Sequence, residues 1–117
     1  MKAIAATLLG LTLCAPVWAQ HSGTITTGDL HDYCEAWARM ETHPDQVTVT
    51  MLGNSSYLLG YIAGFTDATP DDLDLPKTQG ELRAAVCKYI DLHPEIWKLK
   101  QGDGVRLALR ALYGRTK

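Results

Sequence analysis

Hydrophobic residues recur at three- and four-residue steps along most of the chain, which is the spacing of an amphipathic α-helix. The first such run begins at Thr27 or Asp29, either of which can cap a helix start, and it ends at His43 before Pro44. Its apolar positions are Leu30, Tyr33, Cys34, Trp37 and Met40. The spacing therefore predicts a first helix with one buried face.

The same pattern predicts three further helices. We expect the second from about Met51 to Ala68, the third after a capping box of Thr78 and Glu81, and the last after residues 102–104. Residues 47–50 alternate like a strand, but four residues without a partner strand cannot form a sheet. The chain is predicted to be an all-α bundle of four to five helices.

Two glycines at four-residue spacing interrupt the second predicted helix. Gly60 and Gly64 each lower the helix propensity by about 1 kcal/mol relative to alanine. Because glycine has no side chain, we interpret the pair as a groove that lets another helix approach closely. Tyr61 lies between them and Tyr57 one turn earlier, and we expect both at the edge of the core, with a dimer contact as the alternative.

The N-terminus has the composition of a secretion signal. Lys2 precedes an apolar stretch at residues 3–14, and residues 17–19 include small side chains at the positions that a signal peptidase reads. We therefore expect residues 1–19 to be a signal peptide and residues 20–117 to form a single helical domain. The apolar stretch is shorter than the about 20 residues that a transmembrane helix needs. This pattern predicts a soluble protein of the bacterial periplasm.

Export changes the meaning of the cysteines. Cys14 falls within the signal, and the residue before it does not fit a lipoprotein signal, so two cysteines remain. An even pair in an oxidising compartment predicts a disulfide between Cys34 and Cys87, which would stabilise the fold by about 4 kcal/mol. The alternatives are a nucleophilic cysteine beside His31 or His93, or a metal site. We expect no metal, because four ligands at the spacing of a zinc site are not found.

Charge and length exclude two kinds of partner. The chain of 117 residues has 11 Lys and Arg against 13 Asp and Glu, a formal charge of −2, and loss of Lys2 with the signal makes it −3. No basic cluster could hold a phosphate backbone, so we expect no nucleic acid. So short a chain has little core to spare for a large cavity, and we expect no cofactor.

An acidic loop bounded by prolines is the candidate binding surface. It spans residues 67–76, and Pro70 and Pro76 restrict its backbone. The residues that we predict to contact a partner are Asp71, Asp72, Leu73, Asp74 and Leu75. The leucines would be apolar anchors and the aspartates would meet a basic rim. Two alternatives stay open: a solvated connector with its leucines folded onto the core, and a calcium site, which lacks the spacing of an EF-hand.

An ordered set of four stretches covers nearly all of the domain: residues 28–36, 60–68, 79–95 and 107–113. The set resembles the Rap/Tai family of type VI secretion amidase immunity proteins, above all in the Gly-Tyr-Ile-Ala-Gly stretch followed by Asp-Ala. The resemblance implies an exported, all-α and commonly dimeric protein without catalytic activity, which occludes a secreted peptidoglycan amidase with a Cys-His active site. Relatives often carry a cysteine where this chain has Leu58 and Leu59, and none at Cys87, so we expect a different disulfide here.

Two other classes of function stay open. A periplasmic acid-stress chaperone of the small helical, single-disulfide type agrees with the size and with export, and predicts dimer dissociation and dye binding towards about pH 3. A small exported hydrolase would need Cys34 or Cys87 as a free thiol. The residues show no nucleophile with a base and an orienting group, so we expect no enzyme.

Overall fold

The computed structural model describes residues 24–69 and 73–115, and the predicted signal peptide at residues 1–19 lies outside them. The described residues form four α-helices, which are α1 (Thr27–Thr42), α2 (Val49–Ala68), α3 (Gln79–Leu92) and α4 (Gln101–Tyr113). Two short 3₁₀ helices, Pro44–Gln46 and Pro94–Ile96, lie in the connections. These residues contain isolated β-bridges but no strand. The prediction of an all-α bundle is confirmed.

A capping box starts α1, one residue earlier than predicted. The Thr26 side chain accepts a hydrogen bond from the backbone N–H of Asp29, and the Asp29 carboxylate accepts one from the N–H of Thr26 at 2.9 Å. Thr27 is instead the first helical residue and is fully buried. The cap is therefore Thr26, since Thr27 uses its hydroxyl in a contact with a distant segment.

The other helix ends follow the local signals. Thr48 caps α2 by accepting from the N–H of Met51, so that helix begins two residues earlier than expected. Thr78 caps α3 by accepting from the N–H of Glu81, as predicted. His43 and His93 end α1 and α3, because each precedes a proline and leaves the helical region.

The core lies where all four helices meet, with α1 packed against α2, α3 and α4. Its buried apolar side chains are Leu30, Cys34, Leu58, Ile62, Leu82, Val86, Cys87, Ile90, Ile96, Val105, Ala108 and Leu109. No helix of the described residues has the length and hydropathy needed to cross a bilayer.

A disulfide joins the first and third helices. Cys34 of α1 and Cys87 of α3 are bonded, with their Cα atoms 5.7 Å apart and a sequence separation of 53. Both cysteines are buried. The predicted pairing is confirmed, and it closes a long loop whose entropy would otherwise favour the unfolded chain.

The start of α4 packs directly on the start of α1. The helix begins at Gln101, so Gly102 and Gly104 lie inside it rather than before it. A Cβ atom at Gly104 would overlap Oγ1 of Thr27 and lie 2.6 Å from its Cγ2. The Thr27 hydroxyl donates to the carbonyls of Leu99 and Lys100, which fixes the contact. Only glycine allows α4 to approach α1 this closely.

Candidate functional site

Aromatic rings connect α1, α2 and α4. The rings of Tyr33 and Tyr57 meet edge to face with centroids 5.8 Å apart, and Tyr57 stacks with Tyr61 at 5.9 Å. Tyr61 continues to Phe65 at 5.9 Å, and the Tyr57 hydroxyl donates to Oε1 of Gln101 at 2.8 Å. Burial raises the pKa of Tyr33 and of Tyr61 above the usual tyrosine value. Tyr61 packs against the core as expected, whereas Tyr57 is exposed and meets Tyr33 and Tyr61.

We predicted that Gly60 and Gly64 form a groove for another helix. For the described helices of the same chain, this prediction is wrong. A Cβ atom at either glycine would meet nothing within 4 Å among residues 24–69 and 73–115, so none of the other three described helices approaches there. The reason is helix geometry. Leu58 and Ile62 face the core, and positions two residues further on point roughly 200° away from them. Of the predicted signature, Tyr61 packs inward and the two glycines face outward.

The outward side of α2 carries exposed apolar and small residues, which we call the outer face of α2. It comprises Val49, Leu52, Gly53, Leu59, Gly60 and Gly64. Val49 is 86% exposed, and Leu52 and Leu59 are exposed as well. Apolar side chains that share an exposed surface often mark a contact with another protein.

The acidic loop is described in part. Asp71 and Asp72 lie outside the described residues. Leu73 packs against the core and forms an isolated bridge with Gly114, so it anchors the loop and is not an exposed contact. The N–H of Asp74 donates to the carbonyl of Tyr113 at 2.8 Å.

The next side chains of the loop are exposed. Asp74 is 80% exposed at its side chain, and its Oδ1 lies 3.7 Å from Nη2 of Arg115. Leu75 is 41% exposed. The loop therefore presents Asp74 and Leu75 from a position fixed by backbone contacts with the end of α4.

His31 was considered only as a neighbour of a cysteine, and its burial among three acidic side chains was not predicted. His31 of α1 is buried, and its ring stacks on Trp97 with centroids 4.1 Å apart. Its Nε2 lies 2.9 Å from Oδ1 of Asp91 and 3.6 Å from Oε1 of Glu35, and its Nδ1 lies 3.7 Å from Asp32. The available signal was its position three residues before Cys34, which places both on one helix face.

His31 and its acidic neighbours on α1 together resemble a weak set of metal ligands. His31, Asp32 and Glu35 offer ligand atoms within 4.8 Å of one another. The two carboxylates are exposed, and each is an ordinary surface group of α1. The cysteines cannot join such a set, because both sulfurs are bonded to each other.

No family model, curated protein or solved structure matches this chain.

Proposed function

We propose that the chain is an exported periplasmic immunity protein that binds and occludes a type VI secreted peptidoglycan amidase and has no catalytic activity of its own. The ordered resemblance to Rap/Tai proteins supports the amidase as partner. A compact helical domain closed by a disulfide suits a protein that works in an oxidising compartment.

The fixed position of Asp74 and Leu75 carries the proposal. The bridge between Leu73 and Gly114 and the hydrogen bond from Asp74 to Tyr113 anchor this end of the loop. A pre-positioned surface loses little conformational entropy on binding, so it suits entry into an enzyme's cleft. In this proposal Leu75 fills an apolar subsite, and Asp74 meets basic groups at the rim together with Asp71 and Asp72.

A homodimer is part of the proposal. The outer face of α2 supports it, because exposed Val49, Leu52 and Leu59 could be buried by a second copy, and Gly60 and Gly64 would let the second helix approach. Sedimentation velocity should show a dimer that Leu52→Glu dissociates. Leu107→Glu, at an exposed leucine of α4, is the matched control and should leave the dimer intact.

The main experiment uses an exported cysteine amidase, which we expect to be encoded beside this gene. Isothermal titration should give a specific complex, and the complex should release fewer muropeptides from peptidoglycan than the free amidase does. Leu75→Asp should weaken binding about 30-fold, as loss of an interface hot spot does. Leu92→Asp, at another exposed leucine, should leave affinity unchanged.

The outcomes separate the function from the surface. Absence of any complex contradicts the amidase as partner. A complex that binds Leu75→Asp as tightly as the unchanged chain keeps the function but excludes the loop as the contact.

A further inference from the structure

A pocket of about 380 Å³ lies between α1 and α3, and we call it the α1–α3 pocket. None of its lining residues belongs to the loop at residues 73–75 or to the outer face of α2. Its volume is within the range of pockets that enclose a ligand or a partner's side chain. It is therefore a recessed surface, distinct from the exposed surfaces used in the proposed function.

The walls of the pocket are apolar and fixed. The disulfide of Cys34 and Cys87 borders it, together with Trp37 and Ala38. The guanidinium of Arg83 lies 3.7 Å from the ring centre of Trp37, which helps to hold the indole in place. Such walls can cover the methylene groups of an extended side chain.

The polar groups of the pocket are mainly acidic. Glu35 of α1 and Asp91 of α3 line it, against the single ammonium of Lys88. Nε2 of the buried His31 lies between these carboxylates, 2.9 Å from Asp91 and 3.6 Å from Glu35. The stack on Trp97 holds the His31 ring in place, and the contact of Nε2 with Oδ1 then positions the Asp91 carboxylate. Two carboxylates from two helices thus face one apolar recess.

We propose that the α1–α3 pocket binds an arginine side chain of the protein partner. A guanidinium has a planar fork of donors that suits two carboxylates, and its methylene stem would pack on the disulfide and Trp37. A metal ion could use the carboxylates, but it would gain nothing from apolar walls and needs much less than this volume. The inference rests on the proposed function only in taking the partner to be a protein.

The test uses a small probe on the whole domain, with no amidase present. N-acetyl-arginine amide and its neutral analogue N-acetyl-citrulline amide are titrated to millimolar concentration in EDTA, and the indole N–H signal of Trp37 is followed by NMR. We expect the arginine probe to bind about tenfold more tightly, because only it offers a charged donor. Glu35→Gln and Asp91→Asn should each remove most of that preference.

Glu41→Gln is the matched control, because Glu41 is an exposed carboxylate of α1 outside the pocket. It should leave the preference unchanged. Equal binding of the two probes overturns the proposal, and so does an equal effect of Glu41→Gln. A third outcome also overturns it. In that outcome the arginine probe does not shift the Trp37 signal, Zn²⁺ alone binds when EDTA is left out, and His31→Gln abolishes the Zn²⁺ binding. A failed amidase complex does not alter any of these readouts, so the two proposals fail separately.

Discussion

Two glycine positions on neighbouring helices have opposite surroundings. At Gly104 the start of α4 touches Thr27 of α1, and there is no room for a methyl group. At Gly60 on α2 the same methyl group would meet open space. The regular spacing of Gly60 and Gly64 suggested a close helix contact, whereas Gly104 is the position that makes one. A glycine is required where a bulky buried partner faces it, and that partner can be distant in sequence.

The largest loss of stability should follow from removing the disulfide, which lies on the side of α1 that faces the core. With Cys34→Ala and Cys87→Ala together, we expect the free energy of unfolding to fall by about 4 kcal/mol, since the cysteines have a sequence separation of 53. Urea denaturation measures the change, and reduction of the unchanged protein should reproduce it. A loss below about 1 kcal/mol would show that noncovalent contacts hold α1 in place without the bond.

Gly104→Ala should cause the second largest loss of stability, about 3 kcal/mol in the free energy of unfolding. The added methyl group overlaps Oγ1 of Thr27, a buried side chain with two backbone acceptors that has no free direction in which to move. Thermal and urea unfolding measure the loss. Thr27→Ala in the same chain should recover part of it, and a simple sum of the two single effects would contradict the contact.

Gly60→Ala should have the opposite sign. Because none of the described residues would contact the new methyl group within 4 Å, we expect an increase of about 0.5 to 1 kcal/mol in the free energy of unfolding. Gly64→Ala is the parallel variant and should behave alike. If both variants also weaken self-association in sedimentation, a second copy packs on the outer face of α2. A loss of stability in the monomer would contradict the exposed position.

The smallest effect should appear at alkaline pH, in the aromatic contacts between α1 and α2. Burial favours the neutral phenols of Tyr33 and Tyr61, so each pKa is higher in the folded chain than in the unfolded one. Their contribution is fully present below the unfolded value of about 10 and is lost as pH rises through the folded value. Urea midpoints between pH 8 and 11 measure this. Tyr61→Phe should flatten the decline, and an unchanged slope would exclude Tyr61 as a source.

Local signals in the sequence predicted most of the fold. The prolines after His43 and His93 end two helices, and Thr78 starts a third, because each acts on its own neighbours. The cap was predicted at Thr27 or Asp29, although Thr26 and Asp29 form a local capping box. The buried position of Thr27 could not be predicted locally, because its hydroxyl donates to the carbonyls of Leu99 and Lys100, which are 72 and 73 residues away.

The candidate site was less predictable for the same reason. The sequence gives no reason to treat Leu73 and Leu75 differently. In the structure, Leu73 anchors the loop because it bridges to Gly114 near the end of α4, and Leu75 is exposed. His31 counts as polar in any hydrophobic pattern, and its burial follows from Trp97 and Asp91. The partners of these residues come from other elements, which no local window contains.

The hydrogen bonds of Thr27 also set an order of events during synthesis. The start of α1 bonds to Leu99 and Lys100, which are made 72 and 73 residues after Thr27. Contacts between such distant segments form late, because a long loop must close first. The start of α1 therefore stays without its final neighbours until Leu99 and Lys100 have been made.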